Sequence, residues 1–344
     1  VSLGRVAARA AGRRERLDRG IKVRSDDVFA LVSWREMLYL AGPRLAATAV
    51  LLGFPLLRAW TGEYWQTVFL VTVAVMLAAV SWAFLENVGL VSLGQSLFFG
   101  AGGYLTALAA VQLGLPAPAA VLFGTLAGAV GCAVLLAPVL RLRGVYFSLV
   151  TFALPLLFAR VIEATKVLGG TEGLAGVPAL GSLTVRQYVL AVALLATVFG
   201  LQRLLDSDHG LVLHAIRDND VSVRASGIAV GRWKFAAVLV AALPTALAGG
   251  VLATHYHVVG MSAFALDYSV LPLTAAVLGG SGTMAGAAVG AAVLVPLSEV
   301  LRAFGTLRVV VYCVVLVLVL VSVPEGLFSV ARRRYHQFER WVPL

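Results

Sequence analysis

The 344-residue chain is 60% hydrophobic and only 13% charged, whereas a soluble domain carries about 25% charged and about 45–50% apolar residues. Both departures exclude a water-soluble globule and leave an all-α polytopic membrane protein. The formal charge of +10 does not call for nucleic acid, because the basic residues gather in two flanks and one loop, as the positive-inside rule requires.

In chain order, residues 1–42 read as a basic cytoplasmic tail holding Arg5, Arg9, Arg13, Arg14, Arg16, Arg19, Lys22, Arg24 and Arg35. This tail can touch anionic membrane lipid. Its short apolar run, Val28 to Trp34, lacks the pattern of a secretory signal. Residues 43–325 read as the transmembrane domain. Residues 326–344 form a second basic cytoplasmic tail with Arg332, Arg333, Arg334 and Arg340.

A bilayer core about 30 Å thick takes about 20 apolar residues per helix. Candidate spans are 44–60, 65–86, 95–112, 119–140, 145–162, 188–205, 235–253, 284–301 and 308–323. A short apolar piece at 268–279 brings the total to about ten if it crosses. That parity keeps both basic termini on the cytoplasmic side and favours a short, broken or re-entrant crossing there. Arg141 to Gly144 becomes a tight cytoplasmic turn, and 163–187 an external loop in which Lys166 and Arg186 balance Glu163 and Glu172. Residues 206–234 form the longest cytoplasmic loop. Cys132 and Cys313 fall in different spans and suit packing rather than a disulfide.

Several motifs carry competing readings. Gly124 and Gly128 share one helix face, as do Gly282, Gly286 and Gly290, and such faces let membrane helices approach closely. Gly279-Gly280-Ser281-Gly282 matches the G-x-S-G pattern of intramembrane serine proteases. A serine nucleophile needs a base within reach, and no histidine or lysine falls inside a span, so catalysis by Ser281 is disfavoured. His255-Tyr256-His257 lacks the further ligands of a metal site and reads as a solvated external loop. Glu86-Asn87 ends the second span either as a functional polar pair or as an interfacial one. Within 206–234, Leu211, Val212, Ala215 and Ile216 follow helical spacing, as do Val221 and Ala225. Asp220 can cap the N-terminus of a short helix, and Gly227 can stop it. This helix suits docking to a partner protein or lying on the membrane surface.

Four stretches then match a known family in order. Gly89 to Tyr104 (GLVSLGQSLFFGAGGY) resembles the signature of branched-chain amino acid ABC-transporter permeases. It is joined by Val139 to Leu154, Gly169 to Pro178, and Val277 to Ala291, with Val323 to Phe328 closing the match. The resemblance covers about residues 65–330 and implies the membrane subunit of an importer of branched-chain amino acids, urea or amides. It implies a homologous second permease subunit, two cytoplasmic ATP-binding subunits and an extracytoplasmic substrate-binding protein, in a bacterial or archaeal inner membrane.

No phosphate-binding loop of the G-x-x-x-x-G-K-[ST] type is present, so the chain is expected to bind no cofactor itself, with ATP-Mg on the partner subunits. The resemblance also assigns ATPase coupling to the helix at 213–227, through Ala215, Ile216, Arg217, Asp218, Asp220, Val221, Ala225 and Gly227. Val223-Arg224-Ala225 stands there in place of the family's Glu-Ala-Ala-like run. Candidate residues for the substrate path are the span polar groups Ser92, Gln95, Ser96, Tyr104, Ser148, Thr151, Ser269 and Thr274. Such paths often use hydroxyls and backbone at broken helices, though each hydroxyl could instead bond its own helix. A stand-alone secondary transporter is the alternative, against which the scarcity of intramembrane carboxylates counts.

Overall fold

In hydrocarbon every backbone N–H and C=O must find its partner within the protein, which leaves helices as the way to build spans from these runs. The computed structural model describes residues 34–166, 169–280, 282–304 and 326–331, together with Val314 and Val317. Residues 1–51 and 52–344 form two compact units. Helix α1 (Trp34–Gly53) holds the described residues of the first, 34–51, and its last two residues belong to the second. Its Thr48 hydroxyl turns back to the carbonyls of Arg44 and Leu45 at 3.0 and 2.9 Å.

The second unit runs α2 (Arg58–Asn87), α3 (Gln95–Val111), α4 (Ala117–Leu136), α5 (Val145–Thr165), α6 (Leu183–Leu205), α7 (Asp208–Ala225), α8 (Val230–Tyr256), α9 (Asp267–Gly279) and α10 (Met284–Val300). Among the described residues six apolar segments are long enough to cross a membrane: Trp60–Asn87, Ala117–Leu136, Val145–Thr165, Leu183–Leu205, Val230–Tyr256 and Met261–Gly279. Shorter apolar helices cover Gly42–Leu57, Gln95–Val111 and Met284–Val300. The apolar stretch expected at 268–279 therefore begins earlier, with a 3-10 turn at Met261–Phe264. The expected span at 308–323 lies outside the described residues apart from Val314 and Val317, as do Ser281, Cys313, residues 1–33 of the expected tail 1–42 and residues 332–344 of the expected tail 326–344; residues 34–42 belong to α1.

Several boundaries differ from a count of apolar residues, beginning with the expected span 44–60, where α1 runs Trp34–Gly53 and α2 already starts at Arg58. The 119–140 run stops as a helix at Leu136, and a 3-10 turn at Val139–Arg141 leads to Gly144 at φ +53°. Helix α6 starts at Leu183, capped by the Ser182 hydroxyl, which accepts from Val185 N at 3.3 Å. Arg186 is thus a buried helical residue rather than a loop charge, and it donates to Thr254 O at 3.1 Å. Helix α8 starts at Val230 and takes Arg232 and Lys234 out of the expected loop. Apolar counting halts at a charge; a helix continues through one whose head reaches a partner or the interface.

The short helix α3 lies at the centre, with most of its residues buried, and packs on α4 and α8, which also pack on each other. Helix α2 packs on α6, α8, α9 and α10. Small residues set these distances. A Cβ on Gly124 would collide with Thr106, and one on Gly128 would come within 3.1 Å of Gly102 N. One on Gly286 would stand 2.6 Å from Gly280 O, and one on Gly290 2.7 Å from Gly279 N. Gly282 is different: it precedes α10 and faces open space. The helix begins only at Met284, because the Thr283 hydroxyl caps it by accepting from Gly286 N at 3.1 Å. Gly282 therefore does not share the Gly286–Gly290 face.

Residues 174–177, within the expected 163–187 loop, are held by pairing. Strand β1 (Leu174–Ala175) runs antiparallel to β2 (Val258–Val259), with Leu174 opposite Val259. Gly176 N and Val177 N both donate to His257 O, at 3.1 and 3.3 Å. The His255-Tyr256-His257 run is not a loop, though Tyr256 and His257 are exposed: His255 and Tyr256 form the last turn of α8, and His257 caps it at φ +59°. Among the described residues, no group of three His, Cys, Asp or Glu side chains could hold a metal ion.

Candidate functional site

A helix that ends inside a protein exposes carbonyls at one end and N–H groups at the other, and each needs a partner. Helix α2 ends at Asn87, and Gly89, at φ +81°, reverses the chain. Gly89 N donates to Glu86 O and Leu90 N to Leu85 O, both at 2.9 Å, the pair of bonds that defines a Schellman stop. The chain then runs without helix to Gly94 and re-enters one at Gln95.

Side chains from neighbouring helices serve this break. Trp82 Nε1 of α2 donates to Ser92 O at 2.7 Å, and the Ser92 hydroxyl accepts from Gly94 N at 3.2 Å. From α5, Ser148 donates to Val91 O at 2.6 Å, while Thr151 accepts from Leu93 N at 3.1 Å. From α9, Ser269 accepts from Ser96 N and donates to Ser96 Oγ, each at 2.9 Å. From α8, Thr245 donates to Gln95 Oε1 at 3.4 Å. Gly94 permits the approach of α5, since a Cβ there would stand 2.5 Å from Thr151 O.

Six of the residues singled out from sequence thus meet at one place: Ser92, Gln95, Ser96, Ser148, Thr151 and Ser269. All but Ser148 are almost fully buried. Gln95 Nε2 has no hydrogen-bond partner among the described residues. Two lie elsewhere. Tyr104 stands farther along α3, its ring stacked on Phe264 with centroids 5.5 Å apart. Thr274 turns its hydroxyl to Leu271 O at 2.9 Å, within its own helix. Sequence reasoning missed Trp82 and Thr245. Both are hydrogen-bonding side chains within apolar spans, a signal available for either.

Helix α7 lies beside the start of the break. Arg217 Nη1 is 3.4 Å from Asn87 Oδ1, and a Cβ on Gly89 would come within 3.1 Å of the Arg217 Cα. The helix is bent at Asn219, where φ −157° and ψ 96° interrupt it. The Asn219 side chain accepts from Val221 N and Ser222 N at 3.0 and 3.1 Å, so Asn219, and not Asp220, caps the second piece. Asp220 is drawn away into ion pairs with Arg143 at 3.0 Å, Arg224 at 3.2 Å and Lys234 at 3.6 Å. Gly227 ends the helix at φ +82°, with Ile228 N donating to Val223 O.

The inward face of α7 is Leu213, Ile216 and Val223; Leu211 and Val221 are exposed, with Ala215 and Ala225 beside them. The expected apolar stripe is therefore two faces, one packed and one open.

Residues 65–321 match the family model described as branched-chain amino acid transport system, permease component. The chain belongs to this permease family. Two curated relatives are the high-affinity branched-chain amino acid transport system permease protein LivM of Escherichia coli (strain K12) and the protein of that name from Salmonella typhimurium (strain LT2). Each is 27% identical over 275 residues, which cover 71% of this permease and 65% of the relative's own length. No solved structure matches the chain. The α2–α3 break, α7 and the site all lie within the matched residues of the permease.

Proposed function

We propose that this permease is the membrane-spanning subunit of an ATP-binding-cassette importer, carrying branched-chain amino acids or a related small polar solute by alternating access. The observation that carries the reading is the convergence of hydroxyls and an unsatisfied amide on the broken N-terminus of α3. Helix N-termini and interrupted spans suit the carboxylate of a zwitterion. The side chains that hydrogen-bond the backbone of the break are neutral, which supports an externally driven cycle rather than ion coupling.

In this reading ATP-Mg is bound and hydrolysed on two cytoplasmic subunits, and this chain binds no cofactor. The open face of α7, with Leu211 and Val221, meets such a subunit. Arg217 against Gly89 and Asn87 then passes a shift of α7 directly to the break at 88–94 and so to the site. A homologous second permease and an extracytoplasmic binding protein complete the assembly. The chain makes about ten crossings of a bacterial or archaeal inner membrane, with both termini cytoplasmic, and close glycine faces hold the helices together.

Reconstitution in proteoliposomes with the ATPase and binding-protein subunits tests this. ATP-dependent leucine uptake is expected, reduced about tenfold in Gln95→Leu, the loss matching one hydrogen bond to the solute. Uptake that follows an ion gradient without any ATPase would overturn the reading.

A further inference from the structure

The positive-inside rule accounts for how many basic residues lie on one side of a membrane, but not for their convergence on a cavity. Between the end of α4, the second piece of α7 and the first turn of α8 lies a cavity of about 730 Å³, lined by Arg141, Arg224, Arg232 and Lys234. Lys234 is buried at 6% exposure, while the three arginines are exposed at the mouth. Asp220 engages Arg143, Arg224 and Lys234 at once. Arg141 and Arg232 have no carboxylate partner among the described residues. Cations held this close raise the local potential and favour an anion. The start of α8 adds the positive end of a helix dipole, although Val230 N, Arg232 N and Trp233 N already donate to the carbonyls of Ile228 and Ala229.

We infer that this cavity binds a phosphate-bearing anion, either the headgroup of an anionic lipid or a soluble phosphate. Its volume falls within the roughly 300–1,000 Å³ of small-ligand pockets and admits a glycerophosphate group. Leu140 and Phe235 in its wall offer apolar surface to the first carbons of an acyl chain. Basic pockets between spans recognise headgroups in this way. The site is separate from the α3 break, and its occupancy does not depend on which solute is carried.

The test is titration calorimetry on the full chain in uncharged detergent, with dihexanoyl-phosphatidylglycerol in one arm and inorganic phosphate in the other. Saturable binding is expected. It weakens about 30-fold in the R141Q/R232Q variant, roughly fivefold per cation, and stays within about threefold in R141K/R232K, which keeps both charges. Binding of the lipid alone supports a headgroup site; competing inorganic phosphate supports a soluble anion. Absence of binding in both arms, or equal binding by wild type and R141Q/R232Q, overturns the inference. Loss of assembly with an ATPase subunit in R141Q/R232Q, without anion binding by the wild type, would also overturn it and assign the cavity to an acidic protein surface.

Discussion

Gln95 is fully buried, and its amide nitrogen lacks a partner among the described residues. A buried donor left unsatisfied costs about 1–3 kcal/mol; Gln95→Leu removes that donor together with the 3.4 Å acceptor of the Thr245 hydroxyl, so it is expected to melt close to the wild-type temperature while uptake falls. A large drop in melting temperature would mean that Gln95 serves the fold and not the solute. Gly290 makes the opposite prediction. An added Cβ would collide with the Ala275 carbonyl, whereas one on Gly282 meets nothing within 4 Å. Gly290→Ala should therefore lose about 1–3 kcal/mol through overpacking, with Gly282→Ala near neutral, as thermal melting in detergent would show. The letters G-x-x-x-G marked both glycines alike. What separates them is the Thr283 cap, which starts the helix two residues too late for Gly282 to join its face. In the same way, the polar letters of the spans were visible in sequence. That Ser269 reaches Ser96 while Thr274 bonds its own turn depends on which face of α9 packs against α3, and the span taken alone does not record that.

At the level of elements, α7 is two rods joined at Asn219. Asn219→Ala removes the cap of the second rod, at about 1 kcal/mol, and faster hydrogen exchange is expected within 220–228 while α8 stays protected. Asp220 joins this rod to its surroundings. It bridges Arg143 before α5 and Lys234 in α8, with side-chain exposures of only 11% for Asp220 and 8% for Lys234. Removing one partner of such a pair leaves a buried charge uncompensated, at about 3–5 kcal/mol. Asp220→Asn should destabilise accordingly, and adding Lys234→Met should recover much of the loss; a double variant no better than the single would break this link. The helix and its stop at Gly227 were legible from spacing. The cap and the ion pairs were not, because Asn219 and Asp220 are both good capping residues, and Asp220 is drawn off by Arg143 from another connection and by Lys234 from the start of α8 as well as by Arg224.

For the molecule as a whole, the positions of the spans were largely legible, since hydrocarbon imposes a length and a polarity that any apolar run reports. The ordering among them was not. Helix α3 has 17 residues, about 26 Å of helix, less than the roughly 30 Å of a hydrocarbon core. It spans its part of the interior by being sheltered, not by matching the bilayer. The proposed orientation predicts that a cysteine at Glu172 reacts with an impermeant maleimide from outside, and one at Asp208 only after the membrane is opened. Reversed labelling would invert the topology. The sheltered position of α3 also bears on how such chains diverge. Leu122, Leu126, Leu149, Leu157, Val192 and Phe199 on α4, α5 and α6 are exposed, and hydrocarbon accepts one apolar side chain about as well as another. Helix α3 is packed on most sides, with Gly100, Gly102 and Gly103 pressing on Phe264, Ala246 and Gly249 and only the Ala101, Leu105 and Leu108 stripe half-buried. Neutral drift should therefore run fast on the outer wall and slowly around the central helix, so that distant descendants come to differ mainly where they meet lipid.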